Sequence, residues 1–258
     1  MDSILRDFSR AESLLVAMVS RTLATSNLAS LRARRRASRE VSKLLDQLRS
    51  LTAPKAAALV RSSYLAGREA SLAGNKTLSD MDRNALQIII DNLGGRLEDS
   101  LATVGRRVDD IYRREGLRAA AQAIAKGAVD DDAVKRFHDK LVKDGITSFT
   151  DKSGRKWGLE TYAKMSLKTT MMEATNTGAE NLIRERGFDI IQIGHTGRFE
   201  PDKLCSPHHN KKYSLFGRTS SLPLFTPSDK PPYHPNCEHF IKLAPEAASE
   251  RRSALRAA

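Results

Sequence analysis

Aromatic residues, cysteines and long apolar runs are all scarce in this 258-residue chain, and each scarcity excludes a class of protein. Only 5% of the residues are aromatic, which suits helices packed through Leu, Ala, Val and Ile better than an all-β core. Two cysteines are too few for a disulfide framework. No stretch approaches the roughly 20 apolar residues of a membrane span, and the charged N-terminus lacks the apolar core of a signal peptide. We therefore expect a protein that is made in the cytoplasm and has no membrane segment.

Positive charge is plentiful, with a formal net charge of +12 at pH 7. It is densest near the N-terminus, in the run Arg32, Arg34, Arg35, Arg36 and Arg39. Such a stripe can contact the phosphates of nucleic acid, but it can equally be a solvated helix face or bind an acidic protein. No aromatic residues alternate with these arginines, so the pattern does not indicate base stacking. We predict that the run contacts nucleic acid or a protein partner.

Helical periodicity dominates the N-terminal part of the chain. Apolar residues recur every three or four positions from Leu86 to Ile111, which is the pattern of a long packed helix. Ser79 and Asp82 precede this pattern and resemble a helix N-cap with an acidic residue in the first turn. Pro54 is expected to end a helix or to restart one. The other segments predicted to be helical are 4–24, 28–51, 56–72, 115–126 and 130–144.

The character of the sequence changes after about residue 145. The segment ITSFTDKSGRKW predicts two short strands around a turn, and residues 159–186 predict a helix that breaks near 175–178. Residues 188–193 are the best strand candidate, whereas 194–244 are loop-rich and hold seven of the nine prolines. Together these patterns predict a mainly α chain, with a long helical region at 1–145 and a small α+β module with a Cys/His-rich, loop-dominated end at 146–258.

Both cysteines and five of the six histidines lie between residues 195 and 239. Cys205-x-x-His208 and Cys237-x-His239 form two close pairs, which is how proteins usually deliver the four ligands of tetrahedral zinc. We predict a structural zinc site, because this segment has few large apolar residues and metal binding supplies folding free energy directly. A sequence does not show which imidazoles face inward. The alternative ligands are His195, His209 and His234.

Other interpretations of this segment stay open. The cysteines can be buried reduced thiols, or they can form a Cys205–Cys237 disulfide in an oxidising medium. A thiolate–imidazole pair and a metal nuclease that uses Asn236 are two catalytic interpretations, but neither has a full catalytic set at a diagnostic spacing. The chain has no Gly-rich phosphate loop, no HExxH and no GxSxG motif. We assign no catalytic residue, and we interpret the isolated His138 as a surface or core residue.

Residues 145–245 resemble the C-terminal region of the phage minor capsid protein 2 family. The resemblance rests on FTDKSGRKWGLETY, on a helix with paired threonines, on a β-rich run ending in His-x-Gly, on Cys-x-Pro and on a final Cys-x-His pair followed by proline. The run HPNC at 234–237 is also similar to Mu F-like head morphogenesis proteins. Those proteins often carry Cys-x-x-Cys and Cys-x-Cys where this chain has Cys-x-x-His and Cys-x-His, an exchange that a zinc site tolerates.

The resemblance implies a virion or procapsid component of a tailed phage, present in few copies near the portal. Such a protein is expected to act in head assembly or to leave with the DNA. The implied partners are portal or capsid proteins and packaged DNA, and the implied state is oligomeric within the phage head. The alternative function is a virion-packaged nucleic-acid-binding protein or a metal-dependent nuclease delivered with the DNA. Only the Cys and His positions are carried over from the family, and nothing before residue 145 is.

Overall fold

The computed structural model describes residues 1–25, 28–71, 77–126, 147–151, 154–196 and 204–247. Most of these residues are helical, and the described helices are α1 (Asp2–Thr25), α2 (Leu31–Ser71), α3 (Asp80–Lys126) and α4 (Leu159–Glu185). The described strands are β1 (Phe149–Thr150), β2 (Lys156–Trp157), β3 (Ile190–His195), β4 (Lys212–Ser214) and β5 (His239–Leu243). The predicted fold class, mainly α with a small α+β C-terminal region, is confirmed.

These elements belong to two compact units. The first contains Met1–Lys55 and Gly94–Lys164, and the second contains Ala56–Leu93 and the chain from Met165 onward. Helices α2, α3 and α4 therefore contribute residues to both units. The domain boundary predicted near residue 145 lies outside the described residues and stays a prediction. The predicted helix at 130–144 and the interpretation of His138 also lie outside them.

The first unit buries one apolar stripe on each of its long helices. The stripe of α3 continues at steps of three or four residues, as the sequence predicts. Ion pairs add links between helices, from Lys55 to Asp7 and from Arg49 to Glu98, with N–O distances of 2.5 and 2.7 Å. The buried residues of these stripes include Phe8, Leu15, Val19, Val41, Leu45, Leu48, Leu101, Val104, Val108 and Ile111.

Three predicted helix boundaries are wrong. Helix α2 continues through Pro54, α3 continues to Lys126 without restarting at 115, and α4 is unbroken at 175–178. Pro54 lies on the exposed side of α2, so water can hydrate the carbonyl that its missing amide leaves without a helical partner. The buried side passes through Thr52 and Ala56, and its packing outweighs the local cost of the proline.

Two glycines allow α2 and α4 to approach closely within the second unit. A Cβ atom at Gly67 would overlap the carbonyl oxygen of Thr175, and one at Gly178 would overlap that of Tyr64. Gly178 therefore allows close packing of the two helices. It does not break α4, although a break at this position was predicted.

A buried polar network fixes the start of α3 in the same unit. Asp82 is fully buried and accepts hydrogen bonds from the Tyr64 hydroxyl at 2.7 Å and the Arg68 guanidinium at 2.6 Å. It also accepts from the Ser79 amide at 3.0 Å, while its own amide donates to the Ser79 hydroxyl, which confirms the predicted capping pair. Burial alone would raise the pKa of Asp82, but the bonds from Tyr64 and Ser79 and the charge of Arg68 lower it.

Strands β4, β3 and β5 form an antiparallel sheet in that order, so β5 is an edge strand. Strands β4 and β5 fall within the segment that was predicted only as loop-rich. Apolar burial orders part of this segment, which corrects the expectation that it has little core of its own. The core of the sheet and the end of α4 includes Ile183, Phe188, Ile191, Ile193, Tyr213, Leu215, Phe225 and Ile241.

The two short strands predicted after residue 145 are present. Strands β1 and β2 pair antiparallel, with Phe149 opposite Trp157, around the predicted turn. Across the described part of the chain, no helix is both long enough and apolar enough to span a bilayer.

Candidate metal centre

The sheet register brings Cys and His residues to one end of the second unit. His195 ends β3 and His239 begins β5, and the two residues are directly opposite each other in the antiparallel pair. Cys205 directly precedes a 3₁₀ turn at Ser206–His208, and His209 directly follows it. Residues 193 and 210 are joined by a backbone hydrogen bond of 3.0 Å, which holds the end of this turn beside β3. The ends of β3 and β5 and the turn at residues 205–209 therefore lie next to one another, although they are far apart in sequence.

Cys205, Cys237 and His239 form a buried group of metal-ligand atoms. The three atoms all lie within 4.8 Å of one another, and the residues are 4%, 3% and 1% exposed. The Cys237 Sγ atom is 3.5 Å from Nδ1 of His239. The structure thus brings together three of the four ligands predicted from the sequence.

The fourth predicted ligand, His208, lies outside this group. Its Nδ1 atom is 3.0 Å from the Tyr213 hydroxyl, and its ring stacks on Tyr233 with centroids 4.1 Å apart. The alternative ligand His234 instead places Nε2 at 3.2 Å from the Cys205 Sγ atom. In tetrahedral zinc sites, bond lengths of about 2.3 Å to sulfur and about 2.1 Å to nitrogen put S and N ligands about 3.6 Å apart. The two S–N contacts here are close to that distance.

The two remaining alternatives, His195 and His209, lie beside the imidazole of His239. Their ring centroids are 4.5 and 5.8 Å from that of His239 and 5.8 Å from each other. The Nε2 atom of His239 is buried and has no hydrogen-bond partner among the described residues. Apart from His208, the predicted ligands therefore form two sets that share His239. We call them the thiol group (Cys205, Cys237, His234 and His239) and the imidazole group (His195, His209 and His239).

Electrostatics keep the central imidazole neutral. Burial, and after it the neighbouring imidazoles of His195 and His209, together lower the pKa of His239 to about 4. A neutral imidazole has a free lone pair, which is the form that binds a metal. Sulfur and nitrogen donors without a carboxylate suit zinc better than calcium or magnesium. The residues of this cluster could therefore hold a metal ion.

Comparison with known families decides what kind of protein carries this cluster. The sequence profile of the phage minor capsid protein 2 family matches residues 8–240. The chain belongs to the phage minor capsid protein 2 family. The match includes the N-terminal helices, which the resemblance confined to residues 145–245 did not cover. The chain has no significant match among curated proteins or among solved structures. Family membership makes this chain a structural protein of the phage head and places it in the virion.

A buried asparagine that the sequence analysis missed holds the cluster in this family member. The Asn176 side chain donates to the carbonyls of His239 at 3.1 Å and Pro231 at 3.3 Å, and it accepts from the Ile241 amide at 2.8 Å. Since β5 is an edge strand, this amide takes the place of a neighbouring strand. A polar residue inside α4 was predicted to break the helix, although it can also serve as a hydrogen-bond partner for a sheet edge.

The predicted arginine run lies at the start of α2, in the first unit. Arg34 is half-buried and donates to the Leu28 carbonyl at 3.0 Å, while Arg36 pairs with Glu40 at 3.4 Å. Arg32, Arg35 and Arg39 are exposed. Part of the run borders a cleft of about 550 Å³, lined by Leu31, Arg34, Arg35, Ser38, Arg39, Asp109, Tyr112 and Arg113.

Proposed function

We propose that this minor capsid protein acts in head assembly at the vertex where portal, capsid and packaged DNA meet. Family membership is the observation that carries the proposal. The net charge of +12 and the exposed arginines at the start of α2 support a position next to an anionic partner. The helical first unit supplies a surface for portal or capsid proteins, and several copies act together.

Location in the virion tests this proposal. An epitope-tagged copy should complement a phage that lacks the gene, and gold labels on purified virions should lie at the portal vertex. Phages without the protein should accumulate defective heads. Labels spread evenly over the shell, or normal infectious heads without the protein, would contradict the assignment.

We also propose that the thiol group binds a structural zinc ion through Cys205, Cys237, His239 and His234. His234 takes the place predicted for His208, whose Nδ1 faces Tyr213. Bound zinc would cross-link three segments. These are the turn that begins at Cys205, the loop that holds His234 and Cys237, and β5, which begins at His239. Asn176, on α4, supports this arrangement because its side chain donates to the backbone carbonyls of Pro231 and His239. A fully protein-coordinated, buried ion fits a structural role rather than a catalytic one.

DNA contact through the arginine-lined cleft is a second candidate function. The cleft combines arginine side chains with the apolar surfaces of Leu31 and Tyr112. Replacing Arg35 and Arg39 with Gln should weaken binding of random-sequence duplex DNA. The slope of log binding constant against log salt concentration should become shallower by about 2. As a matched control, replacing the exposed Arg6 and Arg10 on α1 with Gln should reduce DNA affinity and its salt dependence by a smaller amount.

Two results would end the nucleic-acid hypotheses. Lack of DNA binding at about 50 mM salt would exclude the cleft as a phosphate site. Lack of cleavage with any divalent metal would exclude the nuclease alternative, whatever the binding result.

A further inference from the structure

A second set of nitrogen donors adjoins the proposed zinc site. We infer that His195, His209 and the Nε2 atom of His239 bind a second metal ion, and that the His239 ring joins the two ions. The inference deepens the proposed metal centre and depends on it through His239. It uses the two histidines that the thiol group leaves out.

The sheet holds the three histidines in place before any ion binds. His195 and His239 are opposite each other on β3 and β5, and the Thr196 amide donates to the Glu238 carbonyl at 3.3 Å. The Asn210 amide donates to the Ile193 carbonyl at 3.0 Å, which fixes the residue next to His209. Ligands that are fixed by backbone hydrogen bonds lose little entropy on binding a metal.

The ring separations are close to those of imidazoles around one ion, with one inside the expected range and two slightly above it. With a metal–nitrogen distance of about 2.1 Å, each ring centroid lies about 3.2 Å from the metal, so angles of roughly 90–120° place centroids about 4.5–5.6 Å apart. The observed separations are 4.5, 5.8 and 5.8 Å. Binding of one ion therefore requires side-chain rotation that brings the three nitrogens onto a common centre.

The buried nitrogen of His239 is an independent sign of a ligand. The residue is 1% exposed, and its Nε2 atom has no hydrogen-bond partner among the described residues. Its Nδ1 atom is already 3.5 Å from the Cys237 sulfur. Burying a polar atom without a partner is costly, and coordination removes that cost. One nitrogen of the ring therefore contacts the thiol group, and the other is buried and available for a second ion.

Donor chemistry and exposure indicate what kind of ion binds here. Three imidazoles favour zinc, cobalt, nickel or copper over calcium or magnesium. Three protein ligands leave a position for water, and His195 and His209 are only half-buried, so this ion should exchange faster than the thiolate-bound one. When both ions are bound, the His239 ring releases its remaining proton to water and binds through both nitrogens.

Cobalt(II) titration of the reduced full-length protein tests the inference, with bound metal counted by mass spectrometry. We expect two ions per chain and a near-ultraviolet thiolate-to-cobalt band. His195→Asn and His209→Asn should each bind one ion and keep the band. The double variant Cys205→Ser/Cys237→Ser should lose the band and keep one imidazole-bound ion.

The possible outcomes separate this inference from the proposed zinc site. One ion per wild-type chain, with the band and the stoichiometry unchanged in His195→Asn and His209→Asn, would overturn the second site alone. One ion without a thiolate band, lost in His195→Asn, would support the imidazole site and overturn the thiolate site. No bound ion would overturn both. The wild-type stoichiometry and the thiolate band together decide the question even if a variant fails to fold.

Discussion

Replacing Asn176 with Leu should strongly destabilise the second unit. Leucine has nearly the same shape as asparagine but neither donates nor accepts, so it leaves the Ile241 amide and the His239 carbonyl without partners at the edge of β5. An unpaired buried backbone group costs about 1–3 kcal/mol, so two such groups cost about 3 kcal/mol after relaxation. The Pro231 carbonyl loses its bond as well.

Thermal unfolding followed by circular dichroism, with chelator present, measures this effect without a metal contribution. For a chain of this size, a loss of about 3 kcal/mol corresponds to a midpoint roughly 6–12 °C lower. The control is Asn84→Leu at an exposed position of α3, which should change stability by less than about 0.5 kcal/mol. An unchanged midpoint in Asn176→Leu, or an equal drop in the control, would refute the role given to this side chain.

Three further predictions concern the buried network and the helix glycines. Asp82→Asn leaves the buried Arg68 charge without its main partner and should cost about 3 kcal/mol in urea unfolding, whereas Asp80→Asn, at an exposed ion pair, should cost less than about 1 kcal/mol. Because the fold lowers the pKa of Asp82 from 3.8, its contribution is complete at pH values above that and is lost as pH falls through the lower folded pKa, so unfolding of Asp82→Asn should depend less on pH there. Gly178→Ala should lower the thermal midpoint because its methyl group overlaps the Tyr64 carbonyl, while Gly95→Ala, which meets nothing within 4 Å, should add about 0.5–1 kcal/mol; equal shifts would contradict this account.

Local patterns predicted the parts of the fold that local physics determines. The apolar repeat after Leu86 and the Ser79–Asp82 cap were identified because helical periodicity and capping act within a few residues. Pro54 was misjudged because the packing of α2 outweighs the local preference of proline. Strands β4 and β5 were missed because each is short and pairs with β3 across loops rich in proline.

The candidate site was predicted in composition but not in arrangement. The concentration of Cys and His residues pointed to a metal, and Cys205, Cys237 and His239 do come together. The choice between His208 and His234 depends on which side chain Tyr213 engages, and no spacing rule contains that information. The second group of imidazoles depends on the β3–β5 register, which pairs positions 195 and 239. Such long-range pairing is set by the whole fold.

X-ray absorption at the zinc K edge of the zinc-loaded protein tests the central claim most directly, because it reports which atoms surround the metal. The proposed centre predicts a sulfur shell at about 2.3 Å together with nitrogen at about 2.0–2.1 Å, and loss of sulfur scattering when both cysteines are replaced with Ser. A spectrum that contains only nitrogen and oxygen neighbours would contradict the claim that Cys205 and Cys237 hold the ion.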